Sequence, residues 1–147
     1  MPKYKAIVEK YFGKRPNWQK EIINIAPDFF ISNAGIDGKD HGPGPHLLMA
    51  FGISCGQGWA PILKAFIKLC KHEVKNDRTL RGKVKMAQIK EKFGGLRIYC
   101  SGNAAIQGAA SFAETLSYEI CERCGAAGRP NSFGWIATLC KNCRAAK

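Results

Sequence analysis

The sequence predicts an α+β fold: a small helical and hairpin domain with a C-terminal four-cysteine zinc ribbon or knuckle module. Three observations predict it. Several stretches repeat apolar residues at a helical period, one stretch alternates around a glycine turn, and two Cys-x-x-Cys pairs follow. A chain of 147 residues, 46% hydrophobic, can bury one respectable core but not two. Its organisation reads as an N-terminal helical segment (1–34), an α+β core with a basic surface (35–120) and a zinc-binding module (121–147).

The elements follow in order. Tyr4, Ile7, Val8 and Tyr11 keep a helical period over residues 3–12, and Gly13 ends it. Asn17 is placed to cap a second helix carrying Trp18, Ile22 and Ile25 on one face, which Pro27 stops. Residues 35–46 are rich in Gly and Pro and predict a long loop. His46 to Ser54 is short and apolar and predicts a buried strand. Cys55-Gly56-Gln57-Gly58 makes a turn into the strongest helix, Trp59 to about Lys75, with Pro61 in its first turn. Trp59, Ile62, Leu63, Phe66, Leu69 and Cys70 form its apolar stripe, and Lys64, Lys68, Lys71 and Lys75 share the other side. Residues 83–100 alternate around Phe93-Gly94-Gly95 and predict a hairpin. Ile89 breaks the alternation, which predicts a bulge or an early strand end. Residues 104–120 return to a helical period behind Asn103 as N-cap.

Cys121, Cys124, Cys140 and Cys143 carry the clearest chemistry. Two residues between paired cysteines let one turn point both sulfurs at one ion, and two such turns complete a tetrahedral zinc shell. Fifteen residues lie between Cys124 and Cys140, and none is His, Asp or Glu, so sulfur alone closes the shell. A closed shell has no position for water, which predicts a structural zinc rather than a hydrolase or deaminase. The alternatives are four incidental cysteines or a redox dithiol, and the latter would be expected beside a βαβ pattern that the chain lacks. Gly134 to Leu139 predicts a strand leading into the second pair. A ribbon or paired-knuckle module fits the few residues after Cys143; a full terminal helix does not. Cys55, Cys70 and Cys100 lie on apolar faces and read as small buried hydrophobes.

The charge is unusual. The 23 basic and 11 acidic residues give +12. Four thiolates around a divalent zinc would bring that to about +10. The surplus is concentrated. Residues 64–97 hold Lys64, Lys68, Lys71, Lys75, Arg78, Arg81, Lys83, Lys85, Lys90, Lys92 and Arg97 against three acids, and the first twenty residues hold six basic groups against one acid. Such a surface suits phosphate contacts, which give affinity without sequence specificity. Tyr99 or Trp135, if exposed, could stack on bases. No apolar run approaches the roughly eighteen residues of a membrane span, and no signal core follows the basic N-terminus, so a cytoplasmic protein is expected. No phosphate-loop motif is present. Asp37, Asp40 and His41 could hold a divalent metal, the basis of an alternative reading as a metal-dependent nuclease. A nuclease of the HNH type would need a His-containing motif between the cysteine pairs, and there is none.

Three blocks together carry a resemblance: Cys55-Gly56-Gln57-Gly58-Trp59, the run from Ile89 through Lys92-Phe93-Gly94-Gly95-Leu96-Arg97 to Tyr99, and Cys124-Gly125 with Gly134-Trp135 through Cys140. Over residues 46–143 the chain resembles a family of small, mostly uncharacterised proteins encoded by bacteriophages and prophages. Residues 1–45 look peculiar to this chain, and Cys143 stands where that family often has His. The resemblance implies a phage-encoded protein in a bacterial host, and it implies no catalytic residues. The leading expectation is a non-enzymatic zinc-binding protein that binds DNA, RNA or a nucleoprotein complex. The alternative is an inhibitor of a bacterial defence system, anti-CRISPR-like, acting by protein contact. Because the chain is basic, such an inhibitor would bind guide RNA, target DNA or an acidic protein surface.

Overall fold

The computed structural model describes residues 2–32 and 43–146. The predicted loop metal site of Asp37, Asp40 and His41 lies outside them. The fold is mixed helix and small antiparallel hairpins. Helix α1 (Pro2–Phe12) turns Val8 and Phe12 inward. Helix α2 (Asn17–Ile25) follows, and the buried residues on it are Gln19, Ile22 and Ile23. The cap position belongs to Pro16, with no side-chain cap, so Asn17 is the first helical residue and not the cap. Pro27 ends α2 as expected, but it also opens one further turn, α3 (Pro27–Phe30), because proline suits a first helical position. Phe29 and Phe30 on that turn are core residues.

The strand expected over residues 46–54 does not form. The chain takes a 3-10 turn at Met49–Phe51, and only Ser54 pairs, as one parallel bridge to Lys90. The reason lies in the neighbouring helix. Gln19 Nε2 donates to the Ile53 carbonyl at 2.9 Å, and Ile53 N–H donates to Gln19 Oε1 at 3.0 Å. One buried side-chain amide thus satisfies the groups a strand partner would have taken. Met49 and Ile53 are buried, while Leu47, Leu48 and Phe51 face solvent.

Helix α4 (Ala60–Asn76) begins after a 3-10 turn at Gln57–Trp59, with Pro61 in its first turn. Trp59, Ile62, Leu63, Phe66 and Cys70 are buried as predicted; Leu69 is exposed, and Ile67 takes a core place instead. Strands β1 (Met86–Lys92) and β2 (Gly95–Cys100) form the hairpin. Its two turn residues both have positive φ, 52° at Phe93 and 82° at Gly94, so a phenylalanine shares the left-handed turn usually left to Gly or Asn. The bulge is present but falls at Ala87, between the Met86–Cys100 and Gln88–Tyr99 pairs, and Ile89 resumes the buried face. Helix α5 (Ala104–Ser117) starts where Asn103 Oδ1 accepts from Ile106 N–H at 3.0 Å. It packs on β2 and α4, and α2 packs on another side of α4. Trp59, Phe12 and Phe30 are the largest buried side chains of one cluster that runs from α1 to α5. Among the described residues, no helix is long and apolar enough to cross a membrane.

The C-terminal module holds strands β3 (Arg129–Pro130) and β4 (Thr138–Leu139), paired antiparallel, and a single helical turn, α6 (Lys141–Ala145). The expected strand over 134–139 is thus confined to its last two residues. A short helical turn begins inside the second pair and includes Cys143, because the Cys140 side chain caps it; no full terminal helix follows.

Candidate metal centre

Cys121, Cys124, Cys140 and Cys143 meet at one point: their sulfurs all lie within 4.8 Å of one another. Cys124 Sγ and Cys140 Sγ are 3.6 Å apart. Four sulfurs at about 2.3 Å from one tetrahedral ion would be about 3.8 Å apart, so the cluster has the size of a four-coordinate metal shell. Local backbone brings each pair together. Gly125, at φ 83°, turns the chain after the first pair, and its N–H donates to the Cys121 carbonyl at 2.9 Å. Cys121 N–H donates to the Ala126 carbonyl at 2.7 Å. In the second pair, Cys140 Sγ accepts from Cys143 N–H at 3.4 Å.

The electrostatics fit a cation. Burial opposes ionisation of Cys121, but N–H groups of Cys140, Cys124 and Arg123 together outweigh it and bring the thiol down to about 6. The Cys143 N–H likewise lowers Cys140. Hydrogen bonds of its thiol with the Cys140 and Cys124 sulfurs push Cys143 up to about 12. A divalent cation among the four sulfurs would favour their thiolate forms. The other three cysteines behave differently. Burial pushes Cys55 and Cys70 up to about 12 and Cys100 up to about 11, so they pack as neutral thiols.

Sequence reasoning missed how the centre is fastened. Gly58 N–H donates to the Glu122 carbonyl at 2.7 Å, and Gly56 N–H to Glu122 Oε1 at 2.9 Å. Trp59 Nε1 donates to the Ile120 carbonyl at 2.9 Å. Thr138, fully buried, donates from Oγ1 to the Gly94 carbonyl at 2.6 Å. A Cβ on Gly58 would sit 2.1 Å from the Cys121 carbonyl oxygen. The Cys-Gly-Gln-Gly-Trp and Phe-Gly-Gly blocks are therefore the cradle that receives the cysteine module. The closely spaced glycines were the available signal, since such glycines mark places where another backbone comes near.

The predicted basic residues separate into groups. Lys71, Lys75, Arg78 and Arg81 line one recess of about 310 Å³ at the C-terminal end of α4, with Asp28 as the acid among its lining residues. Lys68 and Lys83 are exposed. Lys64 pairs with Glu21 at 2.8 Å. Lys85 is turned inward, donating to the Asp28 and Ile31 carbonyls at 2.5 and 2.8 Å, and its burial lowers its pKa. Lys90 and Arg97 are direct cross-strand partners, and Arg97 pairs with Glu114 at 2.6 Å. Lys92 lies over the Phe93 ring at 5.9 Å. Both aromatics considered for stacking are exposed, Tyr99 at 43% and Trp135 at 85%. No family model, curated protein or solved structure is significantly similar to this chain.

Proposed function

We propose that this chain is a non-enzymatic zinc-binding protein that holds DNA or RNA, free or within a nucleoprotein complex, on a basic surface in a bacterial cytoplasm. Zinc is the natural occupant of the cysteine cluster. Four thiolates in a tetrahedral arrangement suit a borderline-soft ion without geometric demands, and they leave no open position for water. That supports a structural metal. Elemental analysis of the purified chain should find about one zinc per molecule.

The observation that carries the nucleic-acid reading is the recess of Lys71, Lys75, Arg78 and Arg81. Four cations line one concave surface. The nearby acid Asp77 is engaged as a cap, accepting from Thr79 N–H at 3.0 Å. A phosphate there meets several donors at once, and releasing counterions supplies the affinity. The resemblance to phage-encoded proteins supports a target inside a host cell. Titrating labelled DNA and RNA against salt tests the reading. Binding should weaken steeply as salt rises, and each of K75A, R78A and R81A should lower the slope by about 1. Absence of binding at low salt ends this reading. A host partner retained after nuclease digestion would instead favour the defence-inhibitor alternative.

A further inference from the structure

The segment 131–137 does something unusual with its aromatic residues. Phe133 is 84% exposed and Trp135 is 85% exposed. Neither contributes to the core, yet the loop that carries them is firmly braced. Asn131 Nδ2 donates to the Phe133 carbonyl at 2.7 Å and to the Trp135 carbonyl at 2.9 Å. Asn131 Oδ1 accepts from Ala137 N–H at 2.7 Å. One side chain thus ties three backbone groups and holds an indole out in solvent. Phe93, 70% exposed, stands on the hairpin turn that Thr138 fastens to the same module.

Trp135 borders a recess of about 450 Å³ shared with Asn131, Arg123, Leu139, Cys143 and Arg144. Both arginines are anchored along part of the guanidinium. Arg123 Nη1 donates to the Cys143 and Ala146 carbonyls at 3.0 and 2.9 Å. Arg144 Nη2 donates to the Arg129 and Leu139 carbonyls at 2.6 and 3.3 Å. A guanidinium has five N–H donors, so each keeps others for a ligand. Glu122 also lines the recess, and its carboxylate accepts from Gly56 N–H. An adjoining recess adds Arg129 and Lys141 and no acid.

We propose that this recess binds an unpaired nucleobase, stacked on Trp135, with its phosphate held by Arg123 and Arg144, so that the chain prefers single-stranded to duplex nucleic acid. This rests on the nucleic-acid reading above and names the form of the ligand. The chemistry fits: an aromatic face and two partly anchored cations meet in a cavity of the size that small ligands occupy. A duplex keeps its bases stacked inside and cannot offer one to a flat indole. The two surfaces are separable. The recess touches Gly56, before the start of α4, and the lysine-arginine recess lies at the helix's other end. The part of α4 from Ala60 to Cys70, about 16 Å of helix, lies between them.

The test uses the zinc-loaded full chain and fluorescent DNA and RNA oligonucleotides of about twelve nucleotides, single-stranded or as blunt duplexes. W135A should weaken single-strand binding about tenfold, W135F should recover much of that loss, and duplex affinity should not change. Unaltered metal content and circular dichroism would show that W135A is folded, as its exposure predicts. Equal loss on both ligand forms, or no loss, overturns the proposal. If K75A/R78A/R81A weakens binding while W135A does not, the base site alone fails. If no oligonucleotide binds the wild type at low salt, both readings fall. A nuclease-resistant protein partner lost with W135A, without any oligonucleotide effect, replaces base stacking with protein contact.

Discussion

Gly58 shows how much one missing methyl group can hold together. Its backbone lies directly against the Cys121 carbonyl, where a Cβ would sit 2.1 Å away. Gly58→Ala should therefore push the first cysteine pair off its cradle. We expect a destabilisation of about 1–3 kcal/mol by chemical denaturation, with weaker metal retention against a chelator. Lys85 teaches the opposite lesson about charge. Its ammonium answers two carbonyls, of Asp28 and Ile31, that would otherwise lack that donor. Lys85→Met should cost about 1–3 kcal/mol of stability yet leave nucleic-acid affinity unchanged, as measured by denaturation and titration of the same sample. A lysine in a basic run looks the same in sequence whether it faces solvent or a buried carbonyl. Burial distinguished Lys85 from Lys83.

At the scale of elements, the local rules were legible where the element is its own explanation. Helix α4 has a long amphipathic period and a proline in its first turn, and it formed where expected. The Asn103 cap and the hairpin were equally readable, because capping and turn chemistry act over a few residues. The strand over 46–54 failed because its competitor was remote: Gln19 occupies the backbone groups of Ile53 from thirty-four positions away. No window of sequence around Ile53 contains that information. The second cysteine pair is an element of the same local kind, since Cys140 both caps α6 and belongs to the metal cluster. Cys140→Ala should lose the metal and unwind α6 together, because it removes the sulfur and the cap at once. Elemental analysis and amide exchange over residues 141–145 would register both losses.

Across the whole molecule, the cysteine module and the rest of the chain share their supports. Trp59 opens α4 from within the main core and bonds to Ile120. Thr138 bonds to the β1–β2 turn. Removing the metal should therefore lower the melting temperature of the whole chain by roughly 5 °C or more in calorimetry, rather than release a separate early transition. Two resolved transitions, with the larger one unmoved by chelator, would contradict that coupling. The same connections join the three motif blocks, which are far apart in sequence, at one seam around the cysteine cluster.

The sequence by itself determined the fold class, the four cysteines that gather, the principal helices and hairpin, and the size and location of the charge surplus. Those signals are local: a period, a cap, a turn, a two-residue spacing. Only the tertiary structure decided which glycines serve as contact surfaces, which lysines are committed inside, that residues 46–54 pair through a glutamine, and that Trp135 stands in solvent beside two arginines. Each depends on which distant segments meet. That is set by the packing of one shared core, because a buried polar group must find its partner wherever the fold brings one.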